Sequence, residues 1–230
     1  MPEAALERRI GYAFRLADGQ PVYREIHEPV VRNGQLVGDR VTYRAPDDAV
    51  LARKRVDFGA DALAPSFRLR DRRLGYVEGL RRSGDGAITL FRRDHAEAPM
   101  EETTLQPPAG LVADAGFDRM IFRHFDELRS GEVLSFPFAV PGRLETIDFM
   151  VRLRERRQVL GEPALVMRMA LDSALFGWLV DPIDVAYHAE TGALLRYEGV
   201  SNLPRPDGDG NYRVRIDFHP RAADRFGRPR

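Results

Sequence analysis

The stretch "RPDGDGNYRVRIDF", Arg205 to Phe218, sets Asp207, Asp209 and Asn211 at alternate positions, a spacing by which side-chain oxygens can converge on one cation. A helix-flanked calcium loop also needs glycine at its sixth position and a bidentate glutamate at its twelfth. Those positions hold Tyr212 and Phe218, and "YRVRIDF" alternates like a strand. The stretch therefore reads first as a Pro/Asp/Gly turn feeding a strand. A calcium site on Asp207, Asp209 and Asn211 is the secondary reading.

The histidines are His27, His95, His124, His188 and His219, and none stands in an H-E-x-x-H pattern. His27 and His188 fall on expected strands. His124 falls on the apolar stripe of an expected helix, where a buried imidazole needs a hydrogen-bond partner and could border a ligand pocket. Asp114, Asp118 and His124 would make an acid/base group, but Asp118 and His124 are six residues apart and do not share a helical face. The serines lack the G-x-S-x-G setting of a nucleophile, and no glycine-rich phosphate loop precedes a helix. The absence of cysteine excludes thiolate catalysis, Cys-ligated zinc and iron–sulfur clusters. No catalytic residue is assigned, and no cofactor is expected.

Apolar chemistry remains. Phe117, Met120, Ile121, His124 and Phe125 on the helix, with Met167, Met169, Phe176 and Trp178 downstream, could line a cavity for an acyl chain or another apolar ligand.

These side chains depend on the elements that carry them. "IGYAFRL", "PVYREIHEPVV", "VGDRVTYRA", "VLARKRVDF", "SFRLRDRRLGYVEGLRRS" and "AITLFRRD" are alternating segments separated by turn residues such as Asn33-Gly34, the signature of an antiparallel meander. "HAEAPMEETTLQPPAG" reads as a loop. In "DAGFDRMIFRHFDELRSG" the positions Phe117, Met120, Ile121, His124, Phe125 and Leu128 follow helical spacing, with Asp114 as N-cap and Gly131 as stop. "EVLSFPFAV", "RLETIDFMVRLRERR", "ALVMRMAL", "IDVAYHA" and "ALLRYEGV" return to strands. "ALFGWLV" reads as a second, short helix. The expected architecture is mainly β within the α+β class: about ten antiparallel strands form a curved sheet or open β-barrel, with one amphipathic helix across the concave face. A single domain over 1–230 is expected, with frayed ends at 1–8 and 220–230.

Composition narrows the function classes. Acids and bases balance at 35 each, so no whole-chain field attracts nucleic acid, which is not expected as a partner. Lys54 is the only lysine, all other basic residues being arginine. Paired arginines such as Arg72-Arg73 and Arg92-Arg93 read as a solvated outer sheet face. No transmembrane segment is expected. "MPEAALERRIGYAF" lacks the apolar core of a secretory leader. A start such as "PEAALERR" also suits a mature chain after leader removal, so a periplasmic location is the expectation and a cytoplasmic one its alternative.

"DAGFDRMIFRHFDEL", "FAVPGRLETIDFMVRL" and "LVDPIDVAYHAETGALLRYEGVSNL" together resemble a proteobacterial family of hypothetical proteins with no assigned activity. In architecture alone, with no residue motif carried over, the order of strands, helix, strands and a late hairpin is similar to periplasmic lipoprotein carriers of the LolA and LolB type. That likeness implies an open barrel holding acyl chains. The leading expectation is a non-enzymatic, envelope-associated protein binding a lipid or other apolar ligand between sheet and helix. A structural or protein-interaction β-domain is the alternative. A hydrolase using His124 or His27 with a carboxylate is the third reading.

Overall fold

In the computed structural model, residues 7–172, 181–208, 210–219 and 221–226 are described. Among them the chain forms fourteen strands in one antiparallel sheet. The first eight are β1 Arg9–Arg15, β2 Pro21–Arg32, β3 Gln35–Arg44, β4 Val50–Asp57, β5 Ser66–Asp71, β6 Val77–Arg82, β7 Ile88–Arg93 and β8 Glu101–Leu105. Helices α1 Gly116–Arg123 and α2 Phe125–Ser130 follow, then β9 Val133–Val140 and a short 3-10 turn, Pro141–Arg143. The chain continues through β10 Glu145–Val159, β11 Glu162–Leu171, β12 Ile183–His188, β13 Leu194–Pro204, β14 Asn211–Asp217 and a final helix, α3 Arg221–Phe226.

Each strand pairs with its sequence neighbour, except that β1 also pairs with β14 while β8 and β9 take the two edges. The chain therefore runs from mid-sheet to one edge, crosses to the other, and returns to the middle. A sheet this wide must curl, since twist accumulates strand by strand. The curl brings the end of β9 back to the first half: the 3-10 turn lies against β6 and β7, where Arg92 Nη1 donates to the Gly142 carbonyl at 2.7 Å. No β8-to-β9 ladder is formed among the described pairings, so the sheet is rolled without closing.

The crossing segment locks this roll. Ala113 N donates to Leu63 O, beyond β4, while Val112 makes a parallel bridge with Phe138 of β9. Gly116 follows so close to this anchor that a methyl group on it would stand 1.8 Å from the Leu63 carbonyl oxygen.

Alternation sorts the side chains. One face of β9 to β12 is apolar, and Met120, Ile121 and Leu128 of α1 and α2 are buried in one cluster with its Phe136, Val151, Met167 and Val185. Burial of this stripe holds the helices, since helices of eight and six residues are marginal in isolation.

Several expectations need correction. The single helix over 114–130 is broken at His124, whose backbone (φ −111°, ψ 26°) leaves the helical region. Asp114 is not its N-cap. Ala115 takes that position, while Asp114 adopts a left-handed φ of 43° and turns its carboxylate into the sheet. The segment expected to be a loop after His95 contains β8, because Thr89 and Phe91 offer partners to Thr104 and Glu102. Part of the expected tail forms α3, whose Phe226 packs against Tyr12 and Phe14. The expected second helix "ALFGWLV" lies outside the described residues.

A candidate binding site inside the rolled sheet

The first half of the sheet carries charge on its concave side. Directly paired positions on seven strands make one row: Arg9, His27, Val41, Lys54, Leu69, Glu78 and Arg92. The row beside it runs Gly11, Glu25, Tyr43, Ala52 and Asp71. Charged residues in phase with buried apolar ones must find partners.

Lys54 finds Asp114. Its Nζ lies 2.9 Å from both carboxylate oxygens, and Asn202 Nδ2 donates to Asp114 Oδ1 at 3.2 Å. Burial alone would lower the lysine pKa. The Asp114 charge and hydrogen bonds outweigh it, so the lysine pKa ends above its ordinary value and the ammonium keeps its proton.

His27 is held from both sides: Nδ1 is 2.8 Å from Asp39 Oδ2, and Nε2 is 3.1 Å from Glu25 Oε1. Burial pushes its pKa down, but the two carboxylates more than reverse this. Asp39 is raised by burial and lowered more by His27, ending below its usual range. With Asp39 on one ring nitrogen and Glu25 on the other, His27 lacks the free nitrogen that a histidine base must offer a substrate proton.

Glu78 is different. It receives one hydrogen bond, from the Tyr76 hydroxyl at 2.7 Å. Burial drives its pKa up to about 7, the Asp114 charge adding to the rise while Tyr76 and Lys54 oppose it. Near neutrality its carboxyl can donate or accept. Glu78, Tyr76, Tyr197 and Asn202 all retain accessible surface although they project into the fold. Burial raises the Tyr76 and Tyr197 pKa values as well. Glu78 and Tyr76 lie beside Gly142 of the 3-10 turn, where a methyl group would stand 3.5 Å from Glu78 Oε2 and 3.7 Å from the Tyr76 hydroxyl.

Among the apolar candidates, Met120, Ile121, Met167 and Met169 are core residues, Ile121 and Met167 with no accessible surface. Phe117 stacks obliquely on Phe136, and Phe125 meets the Tyr187 ring edge-on. His124 is turned aside to Glu127. Phe176 and Trp178 lie outside the described residues, as does Asp209 of the calcium candidate. Asp207 is engaged by Arg205, and Asn211 donates to the Ser201 carbonyl at 2.7 Å. Among the described residues no group of three or more His, Asp or Glu is placed to hold a metal. Asp114, Asp118 and His124 take different partners: Asp114 holds Lys54 and Asn202, Asp118 accepts from the Tyr187 hydroxyl at 2.7 Å, and His124 pairs with Glu127. His188 accepts the Glu190 and Thr191 amides of its own hairpin and does not meet His27.

The chain is similar in fold to a beta-barrel-like protein from Brucella abortus. The crystal structure of that protein, of domain of unknown function DUF1849, superposes with a TM-score of 0.54 over 93% of this chain and 97% of the other, at 10% identity. At that identity the likeness extends to the fold alone. No protein-family model and no curated protein matches the chain.

Sequence reasoning had missed Lys54, Glu78 and Tyr197. The signal was present for Lys54: in "VLARKRVD" it shares phase with Ala52 and Val56, while Arg53 and Arg55 take the opposite face.

Proposed function

We propose that this is a non-enzymatic binding protein whose ligand is a small amphipathic molecule held inside the rolled sheet. Its polar end would meet Glu78, Tyr76 and the Lys54/Asp114/Asn202 group, and its apolar part would lie against Tyr197 and Ile183 at the border of the apolar half. The observation that carries this reading is Glu78, a carboxyl with a pKa of about 7 that retains accessible surface and has one protein hydrogen-bond partner. Groups perturbed in this way concentrate where ligands bind. An envelope location is part of the proposal and rests on the architectural likeness to lipoprotein carriers.

A lipid chain beneath the helices is less well supported than this polar sector. Ile121, Leu128, Val151 and Met167 have no accessible surface, so no water-sized void touches them. The same packing favours the second reading, a structural or interaction domain that holds no ligand.

A thermal-shift screen of small amphipathic molecules, run on the wild type and on Glu78→Gln, separates the two. Ligands that stabilise the wild type and lose that effect in Glu78→Gln support the binding reading. Equal shifts in both proteins place the ligand elsewhere.

A further inference from the structure

The outer face of the same strands carries a second organised surface. Arg40 of β3 pairs with Arg55 of β4, which pairs with Arg68 of β5, and beside this row Arg53 pairs with Arg70. All five are exposed, and among the described residues none has a carboxylate partner. Burial and then the charges of Arg70, Arg93 and Arg81 lower the Arg68 pKa from its ordinary value, a sign that like charges are crowded here. Glu28 opposite Arg40, Asp39, Asp57 and Glu102 are nearby acids, the last three lining the same cleft, but Glu102 is held by Arg81, Asp39 by His27 and Asp57 by the Gly59 amide.

The row is built around one ring. Phe91 lies with the guanidinium groups of Arg68 and Arg81 each 5.6 Å from its centroid. It lies across Gly79, where a methyl group would stand 2.6 Å from the ring and 2.1 Å from the Phe67 carbonyl oxygen. A cleft of about 790 Å³ opens at the strand ends, with Arg32, Arg40, Arg55, Arg68 and Met100 on its walls. Met100 is 38% exposed, and Val31, beside Arg32, is 43% exposed.

We propose that the outer face of β3 to β7 docks on a bilayer surface bearing anionic phospholipid headgroups. Unpartnered arginines on adjacent strands match a plane of phosphates, each basic residue near such a surface contributing about 1 kcal/mol, a roughly fivefold effect. Met100 and Val31 supply apolar side chains at the rim, where they can enter between headgroups. A single-stranded nucleic acid is disfavoured because it needs open aromatic platforms, and Phe91 is 6% exposed with guanidinium groups beside it.

The test is co-sedimentation of the whole chain with vesicles of phosphatidylglycerol and phosphatidylcholine in equal parts, against phosphatidylcholine alone. Binding is expected only to the anionic vesicles, weakening as salt is added. Arg55→Gln/Arg68→Gln is expected to lose roughly thirtyfold in affinity, from two such contributions, while Arg55→Lys/Arg68→Lys keeps binding. If the glutamine pair melts early, Arg40→Gln/Arg53→Gln serves in its place. Equal binding to both vesicles, an unchanged affinity in the glutamine variants, or tighter binding to RNA or a sulfated polysaccharide than to anionic vesicles overturns the proposal. Ligand occupancy inside the sheet does not enter this measurement.

Discussion

The Lys54 ammonium of β4 sits 2.9 Å from both carboxylate oxygens of Asp114, sixty residues later in the chain. That contact ties the crossing segment to the middle of the first sheet half. It also accounts for the left-handed backbone at Asp114, a conformation that aspartate and asparagine tolerate better than most side chains. Asp114→Asn keeps the conformation and leaves Lys54 a buried charge without a counter-ion. The expected cost is about 3 kcal/mol in urea unfolding. Adding Lys54→Met to that variant is expected to recover part of the loss, because the uncompensated charge is gone.

Glu78 makes stability depend on pH. Its pKa rises from the unfolded value of 4.5 to about 7 in the fold. Folding is therefore unopposed by this group below the unfolded value. The penalty grows as pH rises toward 7 and is complete above it, reaching at most about 3 kcal/mol before allowance for solvent access. Glu78→Gln is expected to stabilise the protein by ~2 kcal/mol near pH 8 and to change little near pH 5. Chemical denaturation at the two pH values measures this difference.

His27 works in the opposite direction. Its folded pKa lies above the ordinary value, so its contribution is fully present below the unfolded pKa of about 6.5 and is lost as pH rises through the folded value. His27→Gln is expected to cost about 2 kcal/mol near pH 6 and less once the pH has passed the folded value, since the neutral ring keeps one of its two bonds. An NMR titration of the His27 ring should show a midpoint above 6.5.

Gly116 tests how the helices are anchored. A methyl group at this position meets the Leu63 carbonyl oxygen at 1.8 Å, and a backbone atom cannot rotate away. Gly116→Ala is expected to destabilise by about 2 kcal/mol despite alanine's higher helix propensity. The loss should appear as a lower melting temperature.

Much of the sheet was legible because one face of most strands is wet, although β7, β11 and β12 are buried on both faces over three or four residues. Period-2 alternation marked β1 to β4, β7 and β9 to β14, and Asn33-Gly34 marked its hairpin, whereas β5 and β6 read as one segment and the expected ten strands are fourteen. β8 was hidden because Glu101 to Leu105 carry no buried alternation, being held by ladder bonds to β7 alone. The pairing of β1 with β14 and the bridge at Val112 are contacts between distant residues, which local pattern does not encode. The apolar stripe correctly marked the helices, but it could not show the break at His124, where Glu127 takes the imidazole. The interior site was the least legible part. Its members come from β2, β3, β4, β6, β13 and the crossing segment, and only register brings them together.

On the proposed function, a small amphipathic molecule binds beside Glu78. Native mass spectrometry of the protein, purified gently and mixed with a cell-envelope extract, tests it most directly. A bound species is expected on the wild type and should be depleted on Glu78→Gln and Tyr197→Ala, both shown to be folded by circular dichroism. A wild-type spectrum with the unliganded mass alone, or a bound species retained undiminished by both variants, would contradict it.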